Sequence, residues 1–289
     1  MGADKAATNV GYAAVTIGTF DGVHLGHRQL IGATRHEAAG AGLRVVVVTF
    51  DRHPLATIRP EAAPRLLTTL DQKVELLYAA GADDVVVLVF DAARAGQSAE
   101  DFVSTFLVEE LGARIVVVGE GFHFGHRQHG NVELLESMGR SLGYRVATVP
   151  LVAIDAANGI ISSSLIRELI AQGDLESAAK MLGRQHEVRG TLTDAETPTV
   201  AVPFELIVPP PGAYAVEIDV AGGFAKGVGR LLDTAAGQPS MIELAIDSAE
   251  PPRAPSLVAG EHAAVRFAAR LSLAAGEHEK QAPSVEQRG

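Results

Sequence analysis

Two histidines, His24 and His27, stand three residues apart in the stretch TIGTFDGVHLGHRQLI, which covers residues 16–31. An apolar run ends at Ile17 and a helical pattern begins near Leu25, so the stretch predicts a strand-to-helix turn. Backbone N–H groups at a helix start attract phosphate, and two imidazoles can stabilise charge on a departing pyrophosphate. In the alternative interpretation, the histidines cap or solvate the helix and the glycines serve the turn.

Glycines at positions 18, 22 and 26 lie in the same loop and allow a ligand to approach the backbone closely. One glycine-histidine pair alone would favour the turn interpretation. Two histidines, three glycines and the strand-to-helix context together favour a phosphate site. Asp21 either orients a histidine or contacts the ligand, or it is an Asx-type turn residue.

A serine cluster far downstream offers a second set of phosphate ligands. Ser162, Ser163 and Ser164 precede a predicted helix, and Arg167 lies one turn further along it. Hydroxyls, helix-start N–H groups and a bidentate guanidinium can bind phosphate oxygens together. A plain serine-rich N-cap would account for the same residues.

The stretch GFHFGHRQHG, from Gly121, alternates two aromatic residues with small and basic ones. Phe122 and Phe124 can stack on a planar ring, and Arg127 or a histidine can meet its phosphate. A surface loop with an incidental aromatic pair is the alternative.

Val-rich apolar runs alternate with helical segments over the first part of the chain. This alternation predicts a Rossmann-like, doubly wound α/β sheet that extends to about Gly183. The predicted strands are YAAVTI from Tyr12, LRVVVVTF from Leu43, DVVVLVF from Asp84, RIVVVG from Arg114 and YRVATVPLV from Tyr144. Two further helices, SSLIRELIAQG and DLESAAKMLG, follow.

From Gly190 to about Leu273, short alternating runs separated by Pro- and Gly-rich turns predict a small antiparallel β-barrel or sandwich. The polar last stretch lacks an apolar face and predicts disorder. We therefore expect a first domain over 1–185, a barrel over 186–273 and a disordered tail over 274–289.

Composition narrows the classes of function. The formal charge of -11 argues against a nucleic-acid binder, and the lack of cysteine excludes disulfides and thiolate metal sites. No apolar run approaches the length of a membrane span. We expect a cytoplasmic protein that binds small molecules and has neither nucleic-acid nor membrane partners.

Four motifs in order, from Gly18 to Arg184, resemble the nucleotidyltransferase module of bacterial bifunctional riboflavin kinase/FAD synthetases. They are GTFDGVHLGHRQL, TFDRHP from Thr49, GEGFHFGHRQHGN from Gly119 and ISSSLIRELIAQGDLESAAKMLGR from Ile161. The resemblance implies an FMN adenylyltransferase, which transfers AMP from ATP to FMN and releases pyrophosphate. ATP and FMN are then the substrates, and Mg²⁺ bridges phosphate oxygens.

The resemblance also implies roles for individual residues. His24, His27 and Arg167 would be catalytic. The ATP-binding residues would be Gly18, Phe20, Asp21, Gly22, Gly26, Ser162, Ser163 and Ser164. The flavin-binding residues would be Phe122, Phe124 and Arg127.

In the second domain the resemblance to the family's riboflavin kinase barrel is weaker. Pro198 and Thr199 match its nucleotide loop, but Ala201 stands where a magnesium-binding asparagine is expected, and alanine supplies no oxygen ligand. Glu243 aligns with the catalytic glutamate but lacks the partner loop. We expect a barrel that folds and has weak or no riboflavin kinase activity.

The acceptor side of the first domain also departs from the family pattern. Gly121 replaces an aspartate or asparagine, and Arg52 replaces a proline in TFDRHP. Two alternatives therefore stay open. The chain is a nucleotidyltransferase paralogue that acts on another phosphomonoester, or it is a non-catalytic regulator that binds flavin or nucleotide.

Overall fold

The structure is a computed structural model and describes residues 11–153, 159–194, 197–220, 223–235, 237–246 and 258–271. The predicted disordered tail, 274–289, lies outside the described residues.

The described part of the first domain is built on a parallel sheet in the order β3-β2-β1-β4-β5. Apolar residues fill both faces of its central strands, so the sheet packs against helices on either side. The strand order reverses between β1 and β4, where doubly wound folds bind their ligands. The predicted fold class is confirmed. The strands are β1 (Ala13–Ile17), β2 (Arg44–Phe50), β3 (Asp84–Leu88), β4 (Ala113–Gly119) and β5 (Arg145–Val149).

Most of the helices begin where the sequence supplies a capping side chain. Thr69 and Gln72 form a reciprocal capping box, and Asn131 caps a later helix through the Leu134 N–H. The helices are α1 (Leu25–Ala41), α2 (Leu55–Ile58), α3 (Leu70–Ala79), α4 (Ala92–Gly96), α5 (Ala99–Asp101), α6 (Val132–Leu142), α7 (Ser163–Gln172) and α8 (Leu175–Leu182). A π-helix (Phe102–Glu110) continues α5, and 3-10 turns cover Pro60–Ala62 and His126–Gln128.

The described part of the second domain is a closed antiparallel barrel in the order β10-β7-β6-β11-β8-β9. Its strands are β6 (His186–Asp194), β7 (Thr199–Val202), β8 (Gly212–Val220), β9 (Gly223–Leu231), β10 (Ser240–Ile246) and β11 (His262–Arg270). Sequence patterning did not predict β6 or β9. β9 is rich in glycine, a residue that strands usually avoid. Glycine is needed at position 229 because a Cβ there would lie only 3.0 Å from the Val216 side chain.

The helices α7 and α8 share one hydrophobic core with the barrel. Ile166 and Ile170 of α7 and Met181 of α8 belong to the same buried cluster as Val188 and Phe267 of the barrel. The two domains are thus joined by an apolar core as well as by the chain.

Candidate active site

The loop that joins β1 to α1, residues 18–24, holds two histidine rings face to face. His24 is the N-cap of α1, and its Nδ1 accepts a hydrogen bond from the His27 backbone N–H at 3.3 Å. The ring centroids lie 3.6 Å apart with planes 18° from parallel. Phe20 and Val23 have φ of 49° and 40°, values that residues other than glycine rarely adopt and that are most strained for the β-branched Val23. Such backbone strain concentrates at functional sites.

Burial keeps both imidazoles neutral at neutral pH. Burial, with smaller effects of Arg184 and Arg167, lowers the pKa of His24 from 6.5 to about 4. Burial and the neighbouring His24 lower the pKa of His27 well below 6.5. Because His24 Nδ1 accepts a hydrogen bond, its proton lies on Nε2. Each neutral ring therefore offers one N–H donor.

Asp21 and Arg167 form a buried ion pair at the base of this loop. Arg167 Nη2 lies 2.5 Å from Asp21 Oδ2, and the two side chains are 11% and 7% exposed. The carboxylate also accepts hydrogen bonds from the N–H groups of Leu67 at 3.0 Å and Thr68 at 3.3 Å. Ser163 Oγ donates to the Asp21 carbonyl at 2.9 Å. In these contacts Asp21 anchors α7 and the segment before α3 to the loop.

A cavity of about 360 Å³ opens over the two rings, and we call it the histidine cavity. Its size suits a small ligand. Ser162 is the N-cap of α7, since its Oγ accepts a hydrogen bond from the Leu165 N–H at 3.2 Å, whereas Ser164 is exposed. The cavity brings together the predicted residues His24, Gly26, His27, Ser162, Ser163, Ser164 and Arg167.

A second cavity, of about 380 Å³, lies beside the carboxyl end of β1, and we call it the aromatic cavity. Phe122 and Phe124 line it with stacked rings whose centroids are 5.4 Å apart. Arg127 lines it as well, and other phenylalanines complete its apolar wall. Aromatic faces together with a cation suit a planar ring system that carries a phosphate.

The two cavities share Thr19 and His53. His53 follows β2, and its Nδ1 accepts a hydrogen bond from the Leu55 N–H at 3.2 Å, so its proton lies on Nε2. Burial, then the charge of Arg167, lowers the pKa of His53. Sequence analysis assigned no role to His53. Two signals were available: His53 lies in the motif TFDRHP, and it follows the carboxyl end of the strand beside β1.

The remaining predicted residues on the ATP side do not line the histidine cavity. Gly18 lines the aromatic cavity. Phe20 is fully buried, and its ring meets that of His27 edge to face with the ring centroids 5.1 Å apart. Gly22 has a φ of +80°, and a Cβ there would lie 2.7 Å from Leu67. Glycine at 22 thus serves the packing of the loop.

The structure also places the residues where the sequence departs from the family pattern. Gly121 is exposed, and nothing lies within 4 Å of the position that a Cβ would take, so a larger side chain would fit there. In the barrel, Thr199 pairs with Glu243 across β7 and β10, and Glu243 is exposed. Ala201 lies two residues from Thr199 on β7 and pairs with Met241.

Three buried neutral histidines, His24, His27 and His186, make stability depend on pH. The pKa values of His24 and His186 are each lowered from 6.5 to about 4, chiefly by burial. Between these pH values the unfolded chain binds protons that the folded chain excludes, so stability falls as pH falls from 6.5 to 4. Each histidine then contributes a loss of about 3 kcal/mol at most.

We expect H186Q to reduce this dependence, because glutamine can still donate to the Ile207 carbonyl that His186 Nε2 contacts at 3.0 Å but does not titrate. Urea unfolding from pH 7 to 4 should give a slope lower by up to about 1.4 kcal/mol per pH unit. If the free energy of unfolding of H186Q depended on pH as steeply as that of wild type, buried neutral His186 would not be a source of the pH dependence.

Comparisons with known proteins agree with this geometry. Residues 7–165 match the family model described as FAD synthetase. The bifunctional riboflavin kinase/FMN adenylyltransferase of Escherichia coli (strain K12) is 32% identical over 212 residues, which cover 71% of this chain and 67% of that protein. The protein of the same name from Pseudomonas fluorescens is 32% identical over 224 residues, covering 75% and 71%.

A solved structure shows the same fold over both domains. The crystal structure described as a macrolide-efflux protein from Streptococcus pneumoniae aligns with a TM-score of 0.79 and covers 95% of this chain and 90% of that one. At 22% identity, this likeness concerns the fold alone. None of the described helices is long and apolar enough to cross a membrane. The matched family model and the curated relatives show that the chain belongs to the FAD synthetase family.

Proposed function

We propose that this chain is an FMN adenylyltransferase that transfers AMP from ATP to FMN and releases pyrophosphate. The observation that carries the proposal is the meeting of the two cavities at Thr19 and His53. One cavity offers neutral imidazole donors and a helix start, which suit a triphosphate. The other offers stacked aromatic rings, which suit a flavin.

In the proposed mechanism, the chain positions two phosphate compounds and stabilises charge, and no protein group acts as a nucleophile. The FMN phosphate attacks the α-phosphorus of ATP at the cavity junction, where the His53 Nε2–H can orient it. The bond from the α-phosphorus to the bridging oxygen of the β-phosphate breaks. His24 and His27 donate to the oxygens of the departing pyrophosphate, and neutral rings do so without losing a proton.

We propose that Arg167, Gly26 and the residues 162–164 complete the ATP side, and that Phe122, Phe124 and Arg127 bind the flavin. Gly18, Phe20, Asp21 and Gly22 would support these ligands through the loop that they build. The described residues contain no group of three or more His, Cys, Asp or Glu side chains that could hold a metal. We propose that Mg²⁺ enters with ATP as the substrate complex, held by phosphate oxygens.

We further propose the domain limits 1–185 and 186–273, with weak or no riboflavin kinase activity in the barrel. Ala201 cannot supply an oxygen ligand, and Glu243 is exposed on a barrel strand. These two observations support a barrel that does not phosphorylate riboflavin.

We expect purified protein with Mg-ATP to form FAD from FMN and little or no FMN from riboflavin. Chromatographic separation of the flavins after each incubation measures both reactions. FMN formed from riboflavin at a rate comparable with FAD formation would contradict the proposed loss of kinase activity. Failure to convert FMN, with bound nucleotide still detectable, would favour one of the two alternatives: a paralogue that acts on another phosphomonoester, or a non-catalytic regulator.

A further inference from the structure

The barrel contacts the first domain at the segment that supports the loop of residues 18–24, which we call the histidine loop. The Leu66 N–H donates to the Glu205 carbonyl at 2.6 Å, and the Ile207 N–H donates to the Leu66 carbonyl at 2.9 Å. These bonds form a parallel bridge between Leu66 and Leu206. The chain that joins β7 to β8 therefore fixes the backbone immediately before Leu67.

The next two residues of that segment, Leu67 and Thr68, hold the histidine loop. The N–H groups of Leu67 and Thr68 donate to the Asp21 carboxylate, and Thr68 Oγ1 accepts from the Gly22 N–H at 3.3 Å. Asp21 in turn holds Arg167. The bridge with the barrel at Leu66 is thus directly followed in the chain by the residues whose N–H groups hold the Asp21–Arg167 pair.

A second contact joins the barrel to α3. Gln72 of α3 is buried, and its Nε2 donates to Glu187 Oε1 at 3.0 Å and to the Glu187 carbonyl at 3.2 Å. Arg189 of β6 binds Glu75 of α3 through both terminal nitrogens, at 2.9 and 2.6 Å. Both barrel side chains alternate with inward-facing residues of β6 and so point at α3.

The same helix reaches the ends of the strands that carry the site. Lys73, next to Gln72, is 8% exposed, and its Nζ donates to the carbonyls of Thr19 at 3.3 Å and Phe50 at 2.7 Å. Thr19 lines both cavities. A displacement of α3 would therefore move the cavity junction as well as the histidine loop.

We propose that the barrel positions the ATP side of the adenylyl-transfer site, with Glu187 and the backbone of residues 205–207 as its positioning groups. This positioning role of the barrel rests on the proposed function only in one respect, which is that ATP is the ligand. It requires no kinase chemistry, so the barrel contributes to adenylyl transfer even without a magnesium ligand at Ala201.

The variant Q72E tests this coupling in the full chain. Glutamate at 72 can still accept from the Thr69 N–H and keep the capping box of α3, but it places a carboxylate against Glu187. The double variant Q72E/E187Q exchanges donor and acceptor and restores the hydrogen bond between the two side chains. It does not restore the bond to the Glu187 carbonyl, and it removes the charge that Arg189 and Arg266 contact at 3.1 and 2.7 Å, so its recovery is partial. The matched control is Q172E on α7, where an exposed glutamine donates to Glu168 at 3.2 Å.

Hydrogen exchange of the unliganded chain is the first measurement. In Q72E we expect the amides of Leu67 and Thr68 to exchange about fivefold faster or more, while that of Leu77, in the body of α3, stays near the wild-type rate. The double variant should exchange more slowly than Q72E and so recover part of the way to the wild-type rate, and Q172E should match wild type. Unchanged exchange in Q72E, or no recovery in the double variant, would overturn the proposal.

Calorimetric titration with Mg-ATP is the second measurement. The Kd should rise about threefold or more in Q72E and recover in part in Q72E/E187Q. Wild-type affinity in Q72E, despite faster exchange, would overturn the positioning role. A wild-type chain that binds no ATP but shows the expected exchange pattern would count against the proposed function and leave the coupling supported.

Discussion

Replacing Asp21 with alanine is expected to lower the free energy of unfolding by about 3 to 5 kcal/mol, because it leaves the buried Arg167 guanidinium without its partner. It also removes the acceptor for two buried N–H groups, those of Leu67 and Thr68. Urea unfolding at pH 7 measures the change. The matched control is D84A, which breaks a partly exposed ion pair with Arg44 and should cost about 1 kcal/mol or less.

The same substitution should reduce FAD formation by about 10²-fold or more, measured well below the melting temperature so that the variant stays folded. The loop loses its link to α7, and Arg167 is no longer held beside the histidine cavity. D21N keeps the shape and one acceptor, and it should fall between wild type and D21A in both measurements. A D21A variant that loses less than about 1 kcal/mol would show that the pair is not the anchor we describe.

Replacing His27 with alanine should lower kcat for adenylyl transfer by about 10²-fold. The physical reason is that its N–H donates most strongly when charge builds on the departing pyrophosphate. The KM for ATP should change much less than kcat, because an interaction made mainly in the transition state leaves ground-state binding nearly intact. Steady-state kinetics of FAD formation provide both values.

H36A is the control for this variant, since His36 is an exposed histidine on the same helix. It should keep wild-type kinetics. A loss of less than about threefold in H27A would rule out a role in transition-state stabilisation. An increase in KM with unchanged kcat would instead assign His27 to ATP binding alone.

Sequence patterns were sufficient for the fold class because the information is local. Val-rich strands and capped helices alternate, and each signal lies within about ten residues of chain. β9 was not predicted because its glycines lower the strand propensity of the segment. The need for glycine comes from side chains on neighbouring strands, such as Val216. Close packing across a closed barrel cannot be read from one strand.

The site was predictable in its parts but not in its connections. His24, His27 and the serine turn carry local signatures of phosphate binding, and the structure places them around one cavity. The pairing of Asp21 with Arg167 spans 146 positions, and one sequence offers no signal for it. His53 was missed for a related reason, since its importance comes from where two cavities meet.

The shared wall at Thr19 and His53 has a consequence for the end of the reaction. The proposed product joins an adenylate and a flavin covalently, so it occupies both cavities at once. It therefore competes with each substrate, and neither substrate can enter fully until the whole dinucleotide has left. Accumulated product would then slow its own synthesis at this site, and no separate regulatory site would be needed.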